Sequence, residues 1–184
     1  MMLRLRKLTA IGIQLLLLIA MTSTGSEAHP PGKPQKCDAQ TPKTRDFIES
    51  LFSAVALDNF GASFSAALSD NLVWTVTGSS PIAGRYERKA IYIKEVLTPL
   101  RDVLESLPVP IVEHIVVDGQ WCTVVWRSEG VRGKNGADYD MKYAWVMHVE
   151  DENGTGDLKI VEVVGFYDGQ KVTAVFEGYE FPPK

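Results

Sequence analysis

Residues 74–84 read WTVTGSSPIAG. Trp74, Thr75 and Val76 are strand formers, and Gly78, Ser79, Ser80 and Pro81 end the strand abruptly. A strand that stops at a tight exit suits the rim of a pocket. What surrounds this stretch decides the kind of domain, and whether Thr75 and its neighbours hold chemistry or only shape.

Working back from it, Phe47, Ile48, Leu51, Phe52 and Val55 recur every three to four residues. That period predicts an amphipathic helix from Arg45, with Thr44 and Asp46 as its start signal. The LDNFG at 57–61 breaks it, and Phe60, Phe64, Ala67 and Leu68 predict a second short helix. Residues 69–71 end the helical part and 72–76 form the strand. Working forward, Ile93, Leu97, Leu100, Leu104 and Leu107 predict a helix over 89–107, kinked or divided at Pro99. The remainder reads as strand: 111–117 and 121–127 around the hairpin signal DGQ, then 138–150 and 158–167 joined by DENGTGD. A final run, 172–176, is read as a further strand. Helices gathered on one side of an antiparallel sheet make an α+β domain. The expected form is a cone-shaped barrel, a strongly bent antiparallel sheet wrapped over about three helices with a pocket inside.

The chain has 184 residues, enough for one domain with trimmings. Arg4, Arg6 and Lys7 precede an apolar run over 8–21, and Ser26, Glu27 and Ala28 follow as a cleavage site. The run is short for a bilayer span and suits a signal peptide over 1–28, so a secreted protein with no membrane association after cleavage is expected. Cleavage leaves 16 basic and 22 acidic residues, a net charge of −6, which argues against nucleic acid and anionic membranes as partners. Residues 29–44 are rich in proline and polar side chains and read as an extended arm. Two cysteines permit one disulfide, Cys37 to Cys122, or two unpaired thiols; both readings stand. Asn153 heads the sequon NGT in a turn-rich stretch and is a candidate glycosylation site.

The pattern W-x-V-x-G-x-x-P-x-A-G-x-Y over 74–86, the YAWV strand at 143–146, and KIVEV followed by Tyr167 and Asp168 resemble the SnoaL-like, polyketide-cyclase-like branch of the nuclear transport factor 2-like superfamily. The resemblance covers roughly residues 45–176, and sets a domain at 45–178 with a tail at 179–184. It implies a cone whose open end takes a small, largely apolar molecule, and a homodimer through the sheet's outer face. It does not fix an activity, because the superfamily holds isomerases, cyclases, dehydratases, hydrolases and non-catalytic binders. The resemblance to ketosteroid isomerases puts their general base at Thr75, their second acid at Trp145 and their tyrosine at Ser50 or Leu51. The polyketide cyclases' histidine and aspartate fall at Val163 and Gly165. None of these residues can take the role.

Strand alternation, phased by that resemblance, puts Tyr143, Trp145 and Met147 inside, with Val163, Gly165, Tyr167 and Thr75. The expected pocket is aromatic and suits a planar apolar ligand held by a few hydrogen bonds. Each ring taken singly is better explained as core filling, although Gly165 among large residues suggests room. Asp168, at a strand end, is the foremost acid–base candidate; Asp138, Asp140 and Glu162 read as solvated or paired carboxylates. His114 and His148 lie in strands without ligand spacing, so no metal is expected; His29, the residue after the cleavage site, could chelate copper through its amine and ring as a mature N-terminus, but it has no evident second ligand. No nucleophile elbow, phosphate loop or dinucleotide fingerprint implies a cofactor. The leading reading is a secreted binder of a small apolar metabolite. If catalytic, it would isomerise, cyclise or dehydrate a polyketide- or terpenoid-like substrate without a cofactor, through Asp168, Tyr143 and Tyr167. The alternative is a non-catalytic secreted module for a small molecule or a protein partner.

Overall fold

The computed structural model describes residues 40–182, and the statements below concern these. The expected signal peptide, most of the expected arm, His29, Cys37 and the last two residues lie outside them. The elements are α1 (Gln40–Asp58), α2 (Ala62–Ala67), β1 (Leu68–Val76), β2 (Gly84–Glu87), α3 (Lys89–Tyr92), a π-helical turn (Ile93–Leu97), α4 (Thr98–Val103), β3 (Ile111–Asp118), β4 (Trp121–Arg127), β5 (Lys142–Asp151), β6 (Leu158–Phe166) and α5 (Gly169–Val175). The six strands form one curled, unclosed sheet in the order β2-β1-β6-β5-β4-β3. All neighbours are antiparallel except β1 and β6, which run parallel. Mixed α+β architecture is thus present, with one parallel pair that the sequence reading lacked.

Helix α1 begins five residues before the expected Arg45. Pro42 lies in its first turn, where a missing N–H has no intrahelical partner to lose. The Gly119 N–H donates to Thr41 Oγ1 at 2.9 Å, which ties this end of α1 to the β3–β4 turn. Ile48, Leu51, Phe52 and Val55 are buried, as their spacing requires. The predicted helix over 89–107 is three segments in a row. Pro99 stands at the start of α4, directly after the π-helical turn; it offers no N–H to the preceding turn, and the wider turn accommodates this. The helix ends at Val103, because Leu104 becomes extended and bridges to Gly133. Lys134 Nζ donates to the freed carbonyls of Asp102 (2.7 Å) and Arg101 (3.4 Å).

Three further expectations change. Residues 172–176 are helical, not a strand: Val172, Val175 and Phe176 are buried at spacings of three and four, within and just after α5. Strand β5 starts at Lys142, not at 138. The Asp140 carboxylate accepts from the N–H groups of Gly130 (2.7 Å) and Val131 (2.9 Å), so residues 138–141 belong to the loop that precedes the strand. Packing also continues into the tail, where the rings of Tyr179 and Phe181 lie 5.5 and 5.2 Å from Phe176.

The sheet's concave face carries the core. One inward row runs Cys122, Met147, Val163 and Trp74; the next runs Val124, Trp145, Gly165 and Val76. Thr75 is in neither row. It pairs with Val164 and Arg85 on the outer face, between the buried Trp74 and Val76. The expectation that Thr75 faces inward was out of phase by one residue, which in a strand means the opposite face.

Candidate ligand site

The row of Trp126 and Tyr143, next along from Trp145, opens onto a small interior cavity of about 40 Å³. The sheet supplies Trp126, Tyr143 and Trp145, with Tyr167 just past β6. The helical side supplies Tyr92, Val96, Leu97 and Leu100, the α1–α2 link supplies Phe60, and the β4–β5 loop supplies Tyr139. Aromatic rings interlock around it. Trp126 stacks on Tyr143 at 3.6 Å, and Trp74 stacks on Tyr92 at 4.1 Å. Trp145 stands edge-on between Trp74 (5.0 Å) and Trp126 (5.1 Å). Such edge-to-face contacts contribute about 0.5–1.5 kcal/mol each beyond area burial, so they hold the walls in place.

The polar groups of this lining are neutral donors. Trp74 Nε1 donates to the Tyr167 hydroxyl at 3.2 Å, and the Tyr143 and Ser128 hydroxyls lie 3.4 Å apart. Burial, first of all, pushes the phenols of Tyr92, Tyr139, Tyr143 and Tyr167 well above the ordinary tyrosine value; neighbouring phenols add to the shift at Tyr92, Tyr139 and Tyr167. The indole N–H groups of Trp126 and Trp145 are buried without a hydrogen-bond partner. Trp145 Nε1 also acts on the Tyr167 hydroxyl, short of proper hydrogen-bond geometry. A buried orphan donor costs about 1–3 kcal/mol, so the Trp126 indole asks for an acceptor.

The expected site residues therefore separate. Tyr143, Trp145 and Tyr167 meet at the cavity. Met147 and Val163 are fully buried in the next row and support the wall without lining it. Gly165 does not leave room for a ligand: the Tyr167 ring folds back over it, so that a Cβ there would lie 2.6 Å from Tyr167 Cε2. Asp168 is exposed and outside the lining. Its Oδ1 accepts from the N–H of Gln170 (3.0 Å) and Lys171 (3.2 Å), the geometry of a helix N-cap. Asp138 binds Lys171 at 2.8 Å, and His148 stacks on Trp121 on the outer face at 4.5 Å. Among the described residues no carboxylate or histidine lines the cavity, and no His, Cys, Asp and Glu cluster could hold a metal. Trp126, Tyr139, Tyr92 and Phe60 were missed by sequence reasoning. Trp126 alone had a signal, since pairing the 121–127 strand with the 138–150 strand sets it opposite Tyr143.

Helices packed inside a curled six-stranded sheet, with an aromatic cavity between them, define an α+β cone. The cone is that of the nuclear transport factor 2-like (NTF2-like) fold. An NTF2-like protein from Burkholderia thailandensis superposes with a TM-score of 0.59 at 18% identity, over 72% of this chain and 96% of that one. An NTF2-like protein of unknown function from Burkholderia pseudomallei gives 0.58 at 13%, over 72% and 96%. TerC, co-crystallised with polyporic acid, gives 0.56 at 13%, over 73% and 98%. At these identities the likeness shows the fold. No family model and no curated protein matches the chain in sequence.

Proposed function

We propose that this chain is a SnoaL-like binding domain that takes up a small, flat, apolar molecule carrying an acceptor oxygen, the rings around the cavity of about 40 Å³ moving apart to admit it. The observation that carries this reading is the buried indole N–H of Trp126, which has no hydrogen-bond partner, on a residue that lines a cavity walled by rings; the Trp145 indole beside it reaches only the Tyr167 hydroxyl. The co-crystallisation of TerC with polyporic acid supports a small-molecule role for this cone. Catalysis by proton transfer is not favoured. The lining holds no ionised group, and phenols raised by burial are hydrogen-bond donors rather than bases. An isomerase, cyclase or dehydratase would have to work through Tyr143 and Tyr167 alone, with Asp168 held at the helix cap.

Titration with 1-indanone and with indane, which lacks the oxygen, tests the reading through tryptophan fluorescence. Indanone is expected to bind about tenfold more tightly, the effect of one hydrogen bond to a buried donor, and Trp126→Phe to remove most of that preference. Equal binding of the two probes, or none, overturns it. Recovery of bound indanone unchanged after incubation separates binding from turnover.

The N-terminal pattern supports secretion, with cleavage after Ala28. Asn153 is exposed in the β5–β6 turn, which supports its use as a glycosylation site. Secretion from a eukaryotic host with a glycosidase-sensitive mass increment, abolished by Asn153→Gln, is the expected outcome. On the outer face Val116, Thr123, Val146, Val164 and Thr75 stand in one register row, which supports the proposed homodimer through the sheet.

A further inference from the structure

The interior cavity, at about 40 Å³, is far below the ~300 Å³ at which pockets for drug-sized ligands begin. A second apolar hollow of about 290 Å³ lies between α2 and the π-helical turn. The two spaces share two wall residues, Phe60 and Leu97. Phe60 sits on a special backbone. It and Asn59 have φ of 56° and 53°, the left-handed region that residues with a Cβ avoid. The link is clamped on both sides. Asp58 accepts from the N–H groups of Gly61 (3.1 Å) and Ser63 (2.8 Å), and Arg101 Nη2 donates to the Phe60 carbonyl at 2.8 Å. The opposite wall is the π-helical turn, an irregularity that recurs at functional sites. Arg101 itself is exposed at the edge of the outer hollow and makes no ion pair among the described residues.

The geometry points to Phe60 as a gate between an outer vestibule and the interior cavity, the joined space holding an apolar carboxylic acid. Its carboxylate rests on Arg101 and its apolar body passes the displaced ring. This rests on the reading of the interior as a binding site and says how that site is reached and by what class of molecule. The clamped backbone holds the Phe60 Cα still, so rotation of its side chain opens the wall without unfolding the link. With the ring aside, the combined volume reaches the range of ordinary ligand pockets. The guanidinium, bonded to the Phe60 carbonyl and without an ion-pair partner among the described residues, selects for an anionic end over a neutral one.

Decanoate and 1-decanol, which share a chain and differ in charge, are the probes, with titration calorimetry and stopped-flow tryptophan fluorescence as readouts. Decanoate is expected to bind about tenfold more tightly than decanol, and Arg101→Gln to erase that difference, whatever it does to the affinity the two probes share. Phe60→Ala is expected to speed association of both by tenfold or more, because the closed population no longer limits access. Phe60→Leu, which keeps most of the core contact, is expected to fall between it and the wild type, and serves if the alanine variant does not fold. Equal affinities for the two probes overturn the role of Arg101, and unchanged association rates in the Phe60 variants overturn the gate. If 1-indanone still binds in either case, the interior reading survives and only this inference falls. If indanone also fails, both fall.

Discussion

Gly165→Ala tests the packing logic of the cone directly. The Tyr167 ring rests on Gly165, and a Cβ at that position would lie 2.6 Å from Cε2 and 2.7 Å from Cζ, and closer still to the hydroxyl. Neither atom is the free end of a flexible chain. The phenol accepts from Trp74 Nε1, and its ring meets Tyr143 edge-on at 5.9 Å. An alanine therefore expels the ring. The cost has two parts: repacking of a filled core, about 1–3 kcal/mol, and an orphaned Trp74 indole, about 1–3 kcal/mol. Alanine recovers ~0.5–1 kcal/mol over glycine in backbone entropy, which leaves a net loss of about 1–5 kcal/mol, centred near 3. Urea unfolding followed by circular dichroism should show a midpoint lowered by about 1–3 M.

A double-mutant cycle isolates the cause. With Tyr167→Ala in place no ring remains to be expelled, so Gly165→Ala should then be nearly neutral. The two changes should be coupled by more than ~1 kcal/mol. If Gly165→Ala alone costs less than ~0.5 kcal/mol, or if the two costs simply add, the account of Gly165 as the seat of Tyr167 is wrong.

Four further outcomes are expected. Asp168→Ala should cost about 1 kcal/mol in urea unfolding through loss of the α5 cap and leave indanone affinity unchanged; weakened binding at unchanged stability would restore Asp168 to the site. In reduced protein the Cys122 thiol, pushed up to about 12 by burial, should resist alkylation at pH 8 until denaturant is added, as read by mass spectrometry. Asp138 is held below the ordinary 3.8 by its bond from Lys171, so its contribution to stability is present above that value and lost as pH falls through the depressed pKa. Lys171 is raised above 10.5 by the same bond, so its contribution is present below that value and lost as pH rises through the raised pKa; Lys171→Met should flatten both flanks of the stability–pH curve. Val146→Asp, at the centre of the outer row, should convert a dimer to a monomer in light scattering, whereas a monomeric wild type would refute the proposed assembly.

The cone was legible in the sequence because its long elements are strongly periodic. Ile48, Leu51, Phe52 and Val55 could only form a helix, and the DGQ hairpin fixed two strands. The misreadings are local and share a cause, a side chain that redirects the backbone. VTAVF at 172–176 has strand-like composition, but the Asp168 carboxylate caps two N–H groups and starts a helix. Asp140 does the same to the residues before β5. The site was harder to read than the fold. Tyr143, Trp145 and Tyr167 followed from strand alternation phased by the family resemblance, whereas Phe60, Tyr92 and Tyr139 come from links, helices and loops. They reach the cavity only through long-range packing, which carries no short-range signature.

The phase of β1 bears most on function. With Thr75 inside, WTVTGSSPIAG would offer the cavity one small hydroxyl. With Trp74 inside, it offers an indole that stacks on Tyr92 and donates to Tyr167. That indole fills the space a threonine would have left open, and the inward residues Leu72, Trp74 and Val76 include no proton-transfer group. A carboxylate placed among these rings would be driven to its neutral form by desolvation, as the buried phenols are. An acid grafted at Trp74 would therefore have a raised pKa and leave a cavity where the indole stood. Among the described residues, the polar groups that line the interior are phenols and indoles, neutral groups held in place by their ring contacts.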